Sequence, residues 1–381
     1  MRQATRLPQF SAASCRRKRA GSPFHPFLNY ALGKSLKAVG IVGALAAFGL
    51  LPSQSVLAEK IVIRVGHFPN VTHAQAVVAH GLSRQGKGWF ERRLGPEVEV
   101  KWFDYNAGPT AMEAIFTRAI DLAYVGPSPA INAHLKARGE EIRIVAGACS
   151  GGAALVVQPD GRIKVDADFK GKKVATPQFG NTQDVAARSW LRSRGHRVTM
   201  TGGDVLVVPT ANPDQLALFQ KGELDAVWTV EPWVTRLVSE AKARVYFDEG
   251  SLWPETQGQY VTTHLVSSVR FLVEQSDLLK KWIAAHVELT EWINQNPDDA
   301  KRTLNEELKA ETTRALPQAT LDAAWQRLKL TADPICASLL KSAEDAHRIG
   351  FLRQKPDLRR IYELKLLNEV LKEKGLKEVL P

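Results

Sequence analysis

The chain has 381 residues, of which 44% are apolar and 24% charged, a composition that excludes a disordered chain and supplies apolar surface for one large or two ordinary cores. Its formal net charge of +11 points first to nucleic acid. Yet eight Lys and Arg residues precede Glu59 with no acidic residue among them, and the remainder carries 43 basic against 40 acidic residues, a net of +3. The basicity belongs to the leader, and no nucleic-acid partner is expected.

Residues 1–58 read as a secretory signal. Lys34 and Lys37 precede an apolar run over 39–51, long enough for a signal core and too short to span a bilayer. Pro52 breaks the run, and Val56-Leu57-Ala58 supplies the cleavage positions. No Cys follows the run, which argues against a lipid anchor, and Arg16-Arg17 stands too far upstream for a twin-arginine signal. Beyond the leader only Cys149 and Cys336 remain, too few for a disulfide framework.

From there short apolar strands alternate with helical stretches. The spacing predicts strands over 61–65, 98–102, 122–125, 142–146, 154–157, 173–175, 205–208, 226–229 and 244–247, and a β-branched run over 261–266. Helices are expected over 72–83, 108–119, 130–137 and up to Leu191, and beyond Leu278 the chain reads as almost wholly helical, with Trp282, Ile283, Leu289 and Ile293 on an apolar face. Alternation of this kind predicts α/β sheets covered by helices, and with no Gly/Ser linker the two lobes share ordinary strands.

Candidate binding residues fall where strands hand over to helices. In the loop 66–73, Asn70 or Thr72 is a candidate cap; in Gly126-Pro127-Ser128-Pro129, Ser128 is the candidate cap and Pro129 the first helical residue; and Gln178-Phe179-Gly180-Asn181-Thr182-Gln183 precedes a third helix. Helix starts carry partial positive charge and unpaired N–H groups, so three aimed at one cleft hold an oxyanion without Lys or Arg, and none of these loops contains either. Trp228 and Trp233 stand nearby as candidate pocket walls, with burial in a core as the competing fate.

Catalytic and metal readings are weaker. Gly147-Ala148-Cys149-Ser150-Gly151 has nucleophile-elbow spacing, but the next segment reads as a strand where an elbow needs a helix. His67, His73 and His80 invite a metal reading, but His73 and His80 lie two helical turns apart, about 10 Å, so one ion cannot be held by both from a single helix. His264, on a β-branched strand, reads as a satisfied histidine rather than a base. No metal, cofactor or catalytic residue is expected.

Four segments taken in order, 66–75, Asp121-Leu122-Ala123-Tyr124-Val125-Gly126-Pro127-Ser128-Pro129, Gly171-Lys172-Lys173-Val174-Ala175, and Gly222-Glu223-Leu224-Asp225-Ala226 with Glu231-Pro232-Trp233, resemble the ABC-importer substrate-binding proteins of the aliphatic sulfonate, taurine and nitrate group. The resemblance implies a type II periplasmic-binding-protein fold. Residues 59–152 form the first part of lobe 1, 153–258 lobe 2, and 259–381 the return to lobe 1 with the C-terminal helices; crossing strands fall near 150–155 and 255–262. It also implies ligand contacts at Asn70, Thr72, His73, Tyr124, Gly126, Pro127, Ser128, Ser150, Gly151, Gln178, Gly180, Asn181, Thr182, Gln183, Trp228, Glu231 and Trp233. The implied role is capture of a small organic anion in the periplasm by a monomer that delivers it to a membrane permease. Nitrate, bicarbonate and thiamine-precursor binding are the alternatives on the same fold, with an enzyme resembling pyrimidine-precursor synthases as another.

Mass spectrometry of the exported protein is expected to find an N-terminus within a few residues of Glu59; recovery of the intact chain from the membrane fraction excludes this reading.

Overall fold

The computed structural model describes residues 60–200 and 202–380; the leader expected over 1–58 lies outside them. Strands form where β-branched and apolar residues cluster: β1 (Ile61–His67), β2 (Val98–Asp104), β3 (Leu122–Val125), β4 (Ile142–Gly151), β5 (Ala153–Val157), β6 (Lys173–Thr176), β7 (Leu206–Pro209), β8 (Ala226–Val230), β9 (Arg244–Asp248), β10 (Val261–Ser268) and β11 (Leu328–Leu330). They assemble into two sheets, one ordered β11-β4-β10-β3-β1-β2 and the other β7-β6-β8-β5-β9.

The sheets share a plan. In the first, β1 runs parallel to β2 and β3, and β10 lies antiparallel to both β3 and β4. In the second, β6 runs parallel to β7 and β8, with β5 antiparallel to β8 and β9. Helices cover both faces of each sheet, so the central strands β5, β8 and β10 are buried along their whole length and read as unbroken apolar or β-branched runs. Edge strand β2 is partly exposed.

Each lobe keeps its own core. In the first lobe Phe90 stacks on Trp282 with ring centroids 3.7 Å apart, among the buried Ile283, Leu289 and Ile293 of the helix Ser276–Gln295. In the second, Phe169, Trp190 and Trp228 pack on one face of the sheet, and Leu216, Phe219 and Leu237 on the other. Cys149 and Cys336 are both buried and unpaired.

The C-terminal region departs from its helical reading in β11, which pairs with β4 through Leu328, Lys329 and Leu330. Three residues are too few to show a period of two, but the open edge of β4 needs backbone partners, and this segment supplies them. The helix start near Thr72 also differs: a 3-10 turn over Val71–His73 precedes the helix Ala74–Arg84.

The chain crosses between lobes from β4 to β5 through Gly151 and Gly152, and from β9 to β10 through two short 3-10 turns and Tyr260. Glu249, on the second crossing, is buried and accepts a 2.8 Å hydrogen bond from Trp228 Nε1. Burial pushes its carboxyl up from 4.5 to about 7, against the opposing pull of the Trp228 bond and the Lys341 charge. A folded pKa above the unfolded one means that the folded state binds the proton more tightly. The stability this contributes is full below about pH 4.5 and is lost as pH rises toward 7, by up to about 3 kcal/mol. The melting temperature of the wild type is therefore expected to fall more between about pH 5 and pH 8 than that of Glu249→Gln; parallel curves contradict it.

Candidate functional site

Between the lobes lies a cavity lined from both sides. Phe68, Asn70, Thr72, His73, Asn106, Ala107, Gly108, Gly126, Pro129 and Thr262 come from the first lobe, and Pro177, Asn181, Thr182, Gln183, Asn212 and Val230 from the second. Five of these segments are helix starts, leading into Val71–His73 with Ala74–Arg84, Gly108–Phe116, Pro127–Lys136, Thr182–Ser193 and Asn212–Gln220. First-turn N–H groups have no intrahelical partner; Pro109, Pro127, Pro129 and Pro213 have no N–H, and the other first-turn residues supply the uncharged donors of the wall.

No Lys, Arg, Asp or Glu lines the cavity. His73 is its one titratable side chain, and burial, helped by the neighbouring His67, holds it well below 6.5, hence neutral at pH 7. Thr182 Oγ1 is buried without a hydrogen-bond partner, a polar atom left over for a guest. The free space is about 30 Å³, room for a few water-sized groups.

The lobes stand closed. Trp233 Nε1 donates to Asn70 Oδ1 across the gap at 3.1 Å, and Arg327 pairs with the buried Glu231 at 3.0 Å. Desolvation raises the Glu231 carboxyl to about 7, and the Thr235 N–H and the Arg327 charge oppose that rise. Gly126 faces Thr182 so closely that a Cβ there would meet Thr182 Oγ1 at 2.4 Å.

Of the expected site residues, Asn70, Thr72, His73, Gly126, Asn181, Thr182 and Gln183 come together at the cavity. Asn181 caps its helix by accepting from Asp184 N at 2.9 Å. Asn70 makes no cap; its side chain bonds Trp233 instead. Ser128 is not the cap of its helix, because Pro127 already occupies the first turn and Gly126 the cap position; both Pro127 and Ser128 are buried and do not line the cavity.

The others stand off the cavity wall. Tyr124 is in the first core, its hydroxyl 3.0 Å from His286 Nδ1. Ser150 and Gly151 belong to the crossing, where Ser150 Oγ accepts from Tyr260 N at 3.3 Å. Gln178 lies next to Pro177, its buried Oε1 unpartnered, and Gly180 abuts Phe351. Glu231 is a closure residue through Arg327. Trp228 is core: it is 1% exposed and packs against Trp190 and Phe247. An indole in mid-strand β8 points into its own lobe, so Trp228 does not line this cavity.

The cavity wall also contains Phe68, Asn106, Ala107, Gly108, Pro129, Pro177, Asn212, Val230 and Thr262, which were not among the expected contacts, although Phe68 and Pro129 lie in the loops singled out for them. The signal for Asn106 and Asn212 was present, since each precedes or opens a helix directly after β2 or β7.

Residues 57–306 match the NMT1-like family. The chain belongs to that family. A Bacillus subtilis (strain 168) protein named for aliphatic sulfonate binding is 22% identical over 77% of this chain and 85% of its own length. An Escherichia coli (strain K12) protein of the same name is 30% identical, over 40% of this chain and only 46% of the relative, so that match spans about half its length. Among solved structures, the alkanesulfonate-binding protein of Xanthomonas axonopodis pv. citri bound to MOPS aligns over 80% of this chain and 97% of its own, at 21% identity and a TM-score of 0.62. The periplasmic nitrate-binding protein of Synechocystis PCC 6803 aligns over 83% and 89%, at 16% identity and a TM-score of 0.67. The fold of this NMT1-like protein is thus the two-lobed one of periplasmic binding proteins, the group that its motifs resemble.

Closure over Gly126 gives a test by rescue. Gly126→Ala is expected to hold the lobes apart and enlarge the radius of gyration in small-angle scattering. Adding Thr182→Ala removes the clashing hydroxyl and leaves Cβ atoms about 3.5 Å apart, an ordinary contact, so the double variant is expected to close again. An unchanged profile in the single variant refutes this contact as the limit to closure.

Proposed function

We propose that the chain is the solute-binding component of an ABC importer, capturing a compact monoanion of the sulfonate class between its lobes. The observation that carries this reading is the uncharged cavity ringed by helix starts from both lobes. Each terminus contributes about 0.3–1 kcal/mol toward one negative charge. A dianion adds desolvation cost that no cation in the wall offsets. The wall also lacks carboxylate, thiol and amine, which favours binding over chemistry and disfavours the synthase-like alternative. Export to the periplasm belongs to this reading, supported by the periplasmic nitrate-binding protein of the same fold, and delivery to a membrane permease is part of the same proposal.

A ligand touching both lobes stabilises the closed form through its differential affinity for the two states. The small free space favours a second reading, nitrate, because it leaves little room for a tail. Calorimetry with ethanesulfonate, nitrate and sulfate separates the two. The expected order is ethanesulfonate, then nitrate, with sulfate weakest by tenfold or more, as about 1.4 kcal/mol of uncompensated charge dictates. Tightest binding of nitrate selects the second reading, and tightest binding of sulfate rejects a monoanion site.

A further inference from the structure

A second group of side chains meets in the first lobe, outside the cavity. His67 ends β1, His80 projects from the helix Ala74–Arg84, and Glu311 comes from the helix Pro297–Thr312. His67 Nε2 is 3.1 Å from His80 Nδ1 and 3.1 Å from Glu311 Oε1, and His80 Nδ1 is 2.9 Å from the same oxygen. His67 is fully buried, the Glu311 side chain is 3% exposed, and that of His80 is 16% exposed, so the triangle is walled in with one flank open to solvent.

Hydrogen bonding alone accounts poorly for this triangle. His67 Nδ1 lies 3.3 Å from the Phe68 carbonyl, and in the neutral tautomer that donates to this carbonyl the Nε2 lone pair is turned toward Glu311 Oε1. A lone pair then faces a carboxylate oxygen, with one His80 proton to serve both. Glu311 Oε2 is in addition buried without a partner. A carbonyl on the second ring nitrogen is the usual support of a metal-bound histidine. The spacing fits as well: bonds of about 2.1 Å place neighbouring donor atoms about 3.0 Å apart on an octahedral face and about 3.4 Å apart in a tetrahedron.

We infer that His67, His80 and Glu311 form a binding site for a divalent first-row transition-metal ion, held by His67 Nε2, His80 Nδ1 and a Glu311 oxygen. The local charge favours a cation. Glu307 Oε1 stands 3.1 Å from His80 Nδ1, giving two carboxylates against one guanidinium, that of Arg84. Arg84 Nη2 lies 3.3 Å from His80 Nε2, where a metal on Nδ1 places a proton. Arg84 must then swing away, and its side chain, 51% exposed, has room to do so. It acts as the resident competitor of the ion. A bound ion ties the end of β1, and with it the loop beginning at the cavity residue Phe68, to the helix Ala74–Arg84 and to the distant helix Pro297–Thr312.

Chelator-treated protein is to be titrated with Co2+, followed by its visible absorption, and with Zn2+ in competition. The expected result is one equivalent bound and a rise in melting temperature, since an ion that binds only the folded state stabilises it. His80→Ala and Glu311→Gln, each verified as folded by near-ultraviolet circular dichroism, are expected to lose that equivalent, and Arg84→Ala to bind it more tightly. Wild type without a saturable equivalent, or both variants binding like wild type, overturns the site. Weaker binding by Arg84→Ala overturns the assignment of His80 Nδ1 as a donor.

Discussion

The antiparallel pairing of β4 with β10 is the constraint on which the rest of the molecule depends. Both strands are buried almost throughout and lie side by side in the first sheet, with Ser150 opposite Val261 at the end of the ladder. From that end the chain leaves for the second lobe and returns from it. Gly151 and Gly152, at φ of 82° and 79°, take the left-handed turn that redirects the chain into β5. Tyr260 ties the two crossings, its hydroxyl accepting from Ala153 N at 3.0 Å. Two lobes joined at adjacent rungs of one ladder can rotate about it but cannot drift apart, which is the geometry of a hinge.

A hinge placed there determines the electrostatics of the cleft. Helix starts from both lobes face the gap, and closing brings their donors around one small volume while excluding water, where each dipole acts more strongly. The ionic pairing sits elsewhere: Arg327 meets Glu231 beside the crossing, and its second partner Asp248 lies at the end of β9. Full charges thus hold the lobes, and partial charges face the cavity. A cation in the wall would bind anions of any valence, whereas neutral donors discriminate against the second charge.

Much of this was legible in the sequence because the strands are short, apolar and bounded by turns, and the helix starts follow them at once. Asn181 and Thr182 reached the cavity as the local pattern implied. Other residues escaped for physical reasons. Trp228 and Trp233 flank the end of β8 and look alike in sequence, but alternation along the strand turns Trp228 into the core, while Trp233, at the start of the helix Trp233–Ala241, reaches Asn70 across the gap. Asn106 and Asn212 carried the same signature as the loops singled out. β11 is too short to announce itself. Spacing on a single expected helix sets His73 apart from His80, although His73 lies in the turn before that helix, and it cannot see that His67 and Glu311, from β1 and from a helix hundreds of residues away, converge on His80.

With Trp228 in the core, the organic tail of the proposed ligand has to rest on other surfaces. The remaining apolar wall consists of Phe68, Ala107, Pro129, Pro177 and Val230, all at the meeting of the lobes. A longer tail therefore gains burial, about 0.8 kcal/mol per methylene, only by wedging those surfaces apart. Wedging stretches the Trp233–Asn70 bond, worth about 0.5–1.5 kcal/mol, and opens the cavity around the head group to water. The gain is linear in length, but the loss falls as soon as closure fails. On the proposed function, the contacts that close over the anion also limit the size of what it carries, so that selectivity by size would follow from the hinge.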